Sequence, residues 1–101
     1  MPHRRPRQGQ RDRWIDAVLR HPDLSDACKV TLLAMATWMT DAGYVSVPRA
    51  VLAQMLGKHP SRISEHVGAA VRAKLLDKRG GGHLGKTALY EAVLPSSRGY
   101  L

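Results

Sequence analysis

The 101-residue chain has the size of one domain, and with 44% apolar and 24% charged residues it fits poorly to a disordered, collagen-like or membrane protein. Its net charge of +8 favours a polyanionic partner, with nucleic acid ahead of an anionic membrane surface. The lone Cys28 excludes an intrachain disulfide, and the sequence lacks the apolar segment of an export signal or a membrane span, so we expect a cytoplasmic protein.

The positive charge is concentrated in two segments. Residues 1–13 carry five Arg and one Asp, residues 48–79 carry seven basic and two acidic side chains, and the stretch between them has a net charge of −2. The first eleven residues contain two Pro and no apolar anchor beyond Met1, so they cannot bury enough surface to offset the entropy of ordering. We therefore expect a flexible basic arm over 1–11, a folded domain over 12–95 and a C-terminal tail over 96–101.

Two helices are predicted in the first half of the chain. The first runs from Asp12 to Arg20, where apolar residues recur at helical spacing. Ser25 can cap the second, which is expected to stop at Asp41 and, being apolar on much of its circumference, to be the most buried helix. Its apolar positions are Val30, Leu33, Ala34 and Trp38. The large residues at core spacing, which favour packing over a cofactor site, are Trp14, Met35, Trp38, Met39 and Met55.

A short strand and two more helices follow. The stretch 44–47 alternates and is β-prone, and Pro48 then suits the first position of a helix that ends at Gly57. Pro60 opens a fourth helix with a basic, hydroxyl-rich polar face. Its predicted buried positions are Ile63, Val67, Ala70, Val71 and Leu75.

The last elements form a hairpin. Residues 75–79 and 87–94 have strand character, and the Gly-rich stretch 80–86 between them predicts a mobile tip. The predicted fold class is mainly α with a small β-hairpin, that is, three to four helices plus a short antiparallel sheet.

The segment from Arg49 to Val71 has the features of a helix-turn-helix. Ala53 is small where the second helix crosses the first, and Gly57 can adopt the left-handed conformation of the turn. Ile63 is placed to fill the space between the two helices.

A wider pattern extends over about 70 residues, from Leu24 to Leu94. It comprises Leu24-Ser25, residues 29–36, residues 51–57, Ser61-Arg62-Ile63, Lys74-Leu75-Leu76 and residues 87–90. In these residues the chain resembles the winged helix-turn-helix family, and within it the domains of plasmid replication initiators and of phage or mobile-element regulators. The resemblance implies that the helix from Pro60 enters the major groove of DNA, with the hairpin as a wing along the adjacent backbone.

Two positions depart from the family pattern. His59 stands where the family usually has Ser or Thr before the recognition helix, and Lys74 where it usually has Gly. We expect the imidazole or a water molecule to replace the missing cap, and Lys74 to adopt the unfavourable turn at a cost of about 1 kcal/mol.

Candidate DNA contacts lie on the fourth helix, in the wing and in the arm. The base-reading candidates are Ser61, Arg62, Ser64, Glu65 and His66. The backbone candidates are Arg49, Lys58, His59, Arg72, Arg79, His83 and Lys86, and the arm contributes Arg4, Arg5 and Arg7. Arg62 is the first choice for base recognition, because a guanidinium can donate two hydrogen bonds to one guanine.

These features predict a sequence-specific double-stranded DNA-binding protein: a transcriptional, replication or partition regulator of a bacterium, plasmid or phage, associated with the nucleoid. We expect a homodimer, since paired half-sites double the contacts of a small module, with the first helix and Trp14 as the candidate interface. The alternative is a protein-protein interaction module that uses the winged-helix scaffold in a replication or transcription complex. RNA binding is disfavoured, because most of the five aromatic residues are expected to be buried.

Catalysis and ligand binding are not indicated by the sequence. The five His and one Cys form no metal-ligand motif, and Gly85-Lys86-Thr87 leads into a strand-like run where a phosphate-binding loop would open a helix. Paired carboxylates or a nucleophile with a base cannot be identified. We therefore expect no enzymatic activity, cofactor, metal or small-molecule ligand.

Overall fold

A computed structural model describes residues 9–81 and 87–94 of the chain. Within these residues, four helices and a three-stranded antiparallel sheet pack around one apolar core, which confirms the predicted fold class. The helices are α1 (Gln10–Arg20), α2 (Asp26–Ala36), α3 (Arg49–Leu56) and α4 (Pro60–Arg72), and the strands are β1 (Tyr44–Val45), β2 (Leu76–Gly80) and β3 (Leu89–Ala92).

The first helix begins earlier than predicted. Gln10 and Arg11 belong to α1, so the expected boundary between arm and domain after residue 11 is wrong. Arg11 explains the difference, because its side chain donates to the carbonyl of Met39 at 3.2 Å and pairs with Asp41 at 3.2 Å. These contacts tie the first turn of α1 to the loop that precedes β1.

Trp14 joins α1 to the turn that follows α4. Its side chain is fully buried, and the indole Nε1–H donates to the carbonyl of Leu75 at 2.7 Å. The bond connects two residues that are 61 positions apart in the chain. Trp14 therefore lies in the core of the monomer, and the expectation that it forms a dimer interface is wrong.

The second helix is central but shorter than predicted. Ser25 caps it as expected, its hydroxyl accepting from the amide of Cys28 at 3.1 Å, and the helix contacts α1, α3 and α4. It ends at Ala36, not near Asp41, because the Thr37 hydroxyl donates to the carbonyl of Ala34 at 2.7 Å and the next amides bond three residues back. The face that it buries carries Cys28, Thr31, Leu32, Met35 and Ala36.

The sheet has the order β1-β3-β2, so the last strand lies in the middle. Only Tyr44 and Val45 of the predicted 44–47 strand pair with β3. The β2-β3 ladder contains an irregularity between Lys78 and Gly80, close to the tip of the hairpin. The sheet contacts α4 through β2 and α1 through β3, and it carries the wing.

The pair α3 and α4 packs as the helix-turn-helix pattern predicts. The two helices are in contact, Ala53 of α3 is buried, and Ile63 of α4 is fully buried. Val71, which was expected to be in the core, is 39% exposed. Among the described residues, no helix is both long enough and apolar enough to cross a membrane.

Candidate nucleic-acid interface

The turn between α3 and α4 sets the position of the candidate recognition helix. Gly57 has a positive φ of 64°, a conformation that glycine adopts without steric cost. The amide of Gly57 donates to Gln54, and the amide of Lys58 donates to the carbonyl of Ala53 at 2.9 Å. This pair of bonds is the Schellman arrangement, which satisfies the last carbonyl groups of α3 and reverses the chain.

The start of α4 is capped by an imidazole. His59 Nδ1 accepts from the amide of Ser61 at 3.1 Å and lies 2.9 Å from the Ser61 hydroxyl, while Pro60 occupies the first turn, where an amide hydrogen would have no partner. The expectation that an imidazole replaces the usual Ser or Thr is confirmed. Because His59 is used in this cap, its Nδ1 is not free to contact a phosphate.

The outward face of α4 presents the other candidates for base contact. Ser61, Arg62, Ser64 and Glu65 are exposed in its first two turns, on the side away from the buried residues. Arg62 Nη1 lies 3.4 Å from Glu65 Oε1, and about two thirds of each side chain is exposed. An exposed ion pair of this kind contributes little to stability, so the guanidinium can exchange this partner for another at small cost.

His66 does not lie on this face. Its ring Nδ1 is 2.7 Å from the hydroxyl of Thr31 on α2, and its carbonyl lies 3.5 Å from the thiol of Cys28. The side chain is half-buried, which lowers the pKa of His66 below its ordinary value, and the positive charges of Lys58 and Arg62 lower it further while Glu65 opposes them. The contacts make His66 a link between α4 and α2, so its expected place among the base-reading residues is wrong.

The candidate phosphate contacts differ in how free they are. Arg72, in the last turn of α4, is exposed, and no ion pair joins it to any residue that the structure describes. Lys58 is half-buried in the turn before α4. Arg49, at the start of α3, is exposed, and its Nη2 lies 3.3 Å from the hydroxyl of Tyr90 on β3, so its guanidinium is held beside the sheet.

The wing brings Arg79 together with two carboxylates. Its Nη1 is 3.1 Å from Asp77 and its Nε is 3.5 Å from Glu91, and these contacts raise the pKa of Arg79 above its already high value. The guanidinium therefore has two carboxylate partners within the wing. The other proposed wing contacts, His83 and Lys86, lie outside the described residues, as do Arg4, Arg5 and Arg7 of the arm.

The residue after the end of α4 that departs from the family pattern is Lys74, which stands where the family usually has Gly. Lys74 has a φ of 62° and is the one residue other than glycine with a positive φ in the part of the chain that the structure describes. Its amide donates to Val71 at 3.0 Å, and the amide of Leu75 donates to Ala70 at 2.9 Å. The expected unfavourable turn is confirmed, and it places a Lys side chain directly after the candidate recognition helix.

Two large apolar side chains remain on the surface where the sequence predicts core. Trp38 is 51% exposed and Met55 is 48% exposed, and the Trp38 indole Nε1 lies 3.2 Å from the Met55 sulfur. Trp38 follows the end of α2 and so leaves the helical stripe on which its burial was predicted. Tyr44 is also exposed, so two of the four described aromatic residues are on the surface, and the fifth, Tyr100, lies outside the described residues.

Groups that would hold a metal are not found in the described part of the chain. No three His, Cys, Asp or Glu side chains come together there. Cys28 is buried, and burial raises the pKa of its thiol, which is the opposite of what a reactive cysteine requires. The exposed polar surface of α4 is therefore the principal candidate site.

No protein-family model matches the chain, and no curated protein and no solved structure matches it.

Proposed function

We propose that this protein binds double-stranded DNA in a sequence-specific manner, without enzymatic activity, through the outward face of α4. The observation that carries the proposal is the division of this helix into two sides. Ile63, Val67 and Ala70 are buried against the core, whereas Ser61, Arg62 and Glu65 face solvent. A helix can enter the major groove only if its polar side is free in this way.

The distribution of charge supports a polyanionic partner for this surface. From Lys58 to Lys74 the chain carries four basic side chains and one acidic side chain, Glu65, and that carboxylate lies beside Arg62. When basic side chains neutralise phosphates they release counterions, which supplies much of the affinity of DNA-binding proteins. The affinity for a duplex should accordingly fall steeply as salt is raised.

Different residues have different roles in the proposed complex. Arg62 reads a base edge, because it is exposed in the first turn of α4 and has the two parallel donors that guanine accepts. Arg72 and Lys58, at the two ends of α4, contact phosphates and fix the register of the helix. A regulator of transcription, replication or partition that acts as a homodimer on paired half-sites remains our proposal for the biological role.

The test begins with selection of bound duplexes from a random pool, which yields a preferred duplex. Wild-type protein and variants are then titrated with this duplex and with a scrambled one at several salt concentrations. Arg62→Ala should weaken binding to the preferred duplex by about 1–3 kcal/mol and change binding to the scrambled duplex much less. Arg72→Ala should weaken both equally and reduce the salt slope by about 1.

The matched control is Arg20→Ala. Arg20 is an exposed arginine of α1, paired with Asp16 at 2.9 Å, and its loss changes the net charge by the same amount. It should weaken binding to the two duplexes slightly and equally. Equal effects of the substitutions at 62 and 20 would contradict base reading by Arg62, and absence of any duplex binding at low salt would overturn the proposal.

A protein-protein interaction module is the second candidate function. The contact between Trp38 and Met55 favours it, since an exposed Trp beside an exposed Met is typical of surfaces that bind another protein. This reading predicts that Trp38→Ala abolishes capture of a partner and leaves duplex binding unchanged. Duplex binding that depends on Arg62 and not on Trp38 would favour the DNA-binding proposal.

A further inference from the structure

Gly68 is an unusual residue for the middle of α4. It is the one glycine inside a helix among the residues that the structure describes, and glycine is a poor helix former because it loses the most backbone entropy on folding. At helical spacing it shares the outward face of α4 with Ser61, Glu65 and Arg72. The candidate interface thus contains a position that weakens its own helix.

The described fold gives no reason for this glycine. A Cβ built on Gly68 would meet one group, Arg72 Nη1 at 3.3 Å, and that atom is the far end of a flexible side chain. Gly43 is different, because a Cβ there would lie 2.7 Å from Gln10 Cγ, and its φ of 97° also requires glycine. Alanine would fit at position 68 and would strengthen α4, so no contact among the described residues requires glycine there.

The chemistry around Gly68 indicates what approaches it. The Arg72 guanidinium lies close to the bare backbone of Gly68, and it has no carboxylate partner among the described residues. The one acid on this face, Glu65, already lies beside Arg62. An unpaired guanidinium next to a stretch of helix without a side chain suits an anionic group that comes in close, and a phosphate is the ligand for which arginine is best shaped.

We propose that Gly68 is the point at which the sugar-phosphate backbone of the bound duplex comes closest to α4, with a phosphate held by Arg72. The missing Cβ leaves room for this approach, in the same way that glycines elsewhere let a backbone come near a ligand. The inference rests on the proposed DNA-binding function and deepens it, because it distinguishes a phosphate contact at the end of α4 from base contacts at its start. A phosphate carries no sequence information, so the contribution of Gly68 is the same for every duplex.

The test is Gly68→Ala, measured for both thermal unfolding and duplex binding. The midpoint of unfolding should rise by about 4–8 °C, because alanine is the better helix former. Affinity should fall about tenfold for the preferred and for the scrambled duplex alike, since the added methyl group must be accommodated in a close contact. The control is Ala27→Ser, a change of similar size on the exposed side of α2, which should leave both affinities unchanged.

A double variant tests whether Gly68 and Arg72 act on one phosphate. If they do, Gly68→Ala should cost much less affinity in a protein that already carries Arg72→Ala, because contacts that share a partner are not additive. Fully additive losses would overturn the shared contact.

The outcomes separate this inference from the function on which it rests. If wild-type protein binds duplexes and Gly68→Ala binds them equally well, the inference is overturned and the proposed function stands. A loss confined to the preferred duplex, or a lower unfolding temperature for the variant, would also overturn it, because the first indicates base reading and the second a structural need for glycine. If wild-type protein binds neither duplex, the proposed function fails and this inference fails with it.

Discussion

The two helices of the helix-turn-helix end in turns that have the same hydrogen bonds but different residues at the left-handed position. Gly57 follows α3 with a φ of 64°, and Lys74 follows α4 with a φ of 62°. In each turn one amide bonds three residues back and the next bonds five residues back, the latter at 2.9 Å in both. The two turns therefore have nearly the same backbone, and they differ in the conformational strain that the left-handed residue bears.

The difference shows that a strained turn can be stabilised by hydrogen bonds from residues that are distant in the sequence. A residue with a Cβ loses about 1 kcal/mol in the left-handed conformation, and glycine does not. The turn at Lys74 has external support, because the carbonyl of Leu75 accepts both from the Trp14 indole at 2.7 Å and from the amide of Val93 at 2.9 Å. The turn at Gly57 is open, with no atom within 4 Å of a Cβ built there.

The largest effect should come from removing this external support. Trp14→Phe deletes the indole N–H and leaves a smaller ring in a fully buried site, and we expect it to lower the free energy of unfolding by about 1–3 kcal/mol. Urea unfolding followed by circular dichroism measures this loss without relying on tryptophan fluorescence.

Trp38→Phe is the matched control for that substitution. Trp38 is half exposed, and its indole Nε1–H donates to the weak acceptor Met55 Sδ at 3.2 Å, so the same change should alter stability by less than about 0.5 kcal/mol. Similar losses in the two variants would show that the bond from Trp14 to the Lys74 turn is unimportant.

The features that could be predicted from the sequence are those that depend on near neighbours. The cap at Ser25, the turn at Gly57 and the start of α4 at Pro60 all follow from the residue and its immediate neighbours, and the structure confirms each. Such signals act within one turn of helix, which is why they can be read without the rest of the fold.

The features that could not be predicted depend on distant contacts. His66 lies three residues after Ile63 and four before Ala70, at the edge of the buried face, and a bond to Thr31, 35 positions away, directs its ring to α2. Trp38 was placed in the core because α2 was expected to continue, and the early end at Ala36 moves it to the surface. Helical periodicity predicts neither which distant residue a side chain will bond to nor where a hydroxyl group will end the helix.

The next largest effects on stability should come from placing glycine in the Lys74 turn and a residue with a Cβ in the Gly57 turn, and they should have opposite signs. Lys74→Gly should raise the free energy of unfolding by about 0.5–1 kcal/mol, because the strain that it removes outweighs the greater freedom that glycine gives to the unfolded chain. Gly57→Ala, its counterpart, should lower stability by about 1 kcal/mol through backbone strain alone, since its surroundings are open. Chemical denaturation of both variants checks the pair, and a loss of stability in Lys74→Gly would mean that the lysine side chain contributes more than its backbone costs.

The smallest effect is a pH dependence that reports on the Gly57 turn. Burial lowers the pKa of His66 below its ordinary value of 6.5, and the charge of Lys58, which that turn positions, lowers it further. The unfolded chain then binds a proton that the folded protein does not, so stability should be complete above pH 6.5 and decrease as the pH falls from there toward the lower pKa of the folded state. The difference between wild type and His66→Asn, followed by denaturation from pH 7.5 to 5, isolates this contribution from that of the carboxylates. Lys58→Met should reduce the dependence, because it removes the charge that disfavours protonation, and an unchanged dependence in that variant would show that the turn has no influence on His66.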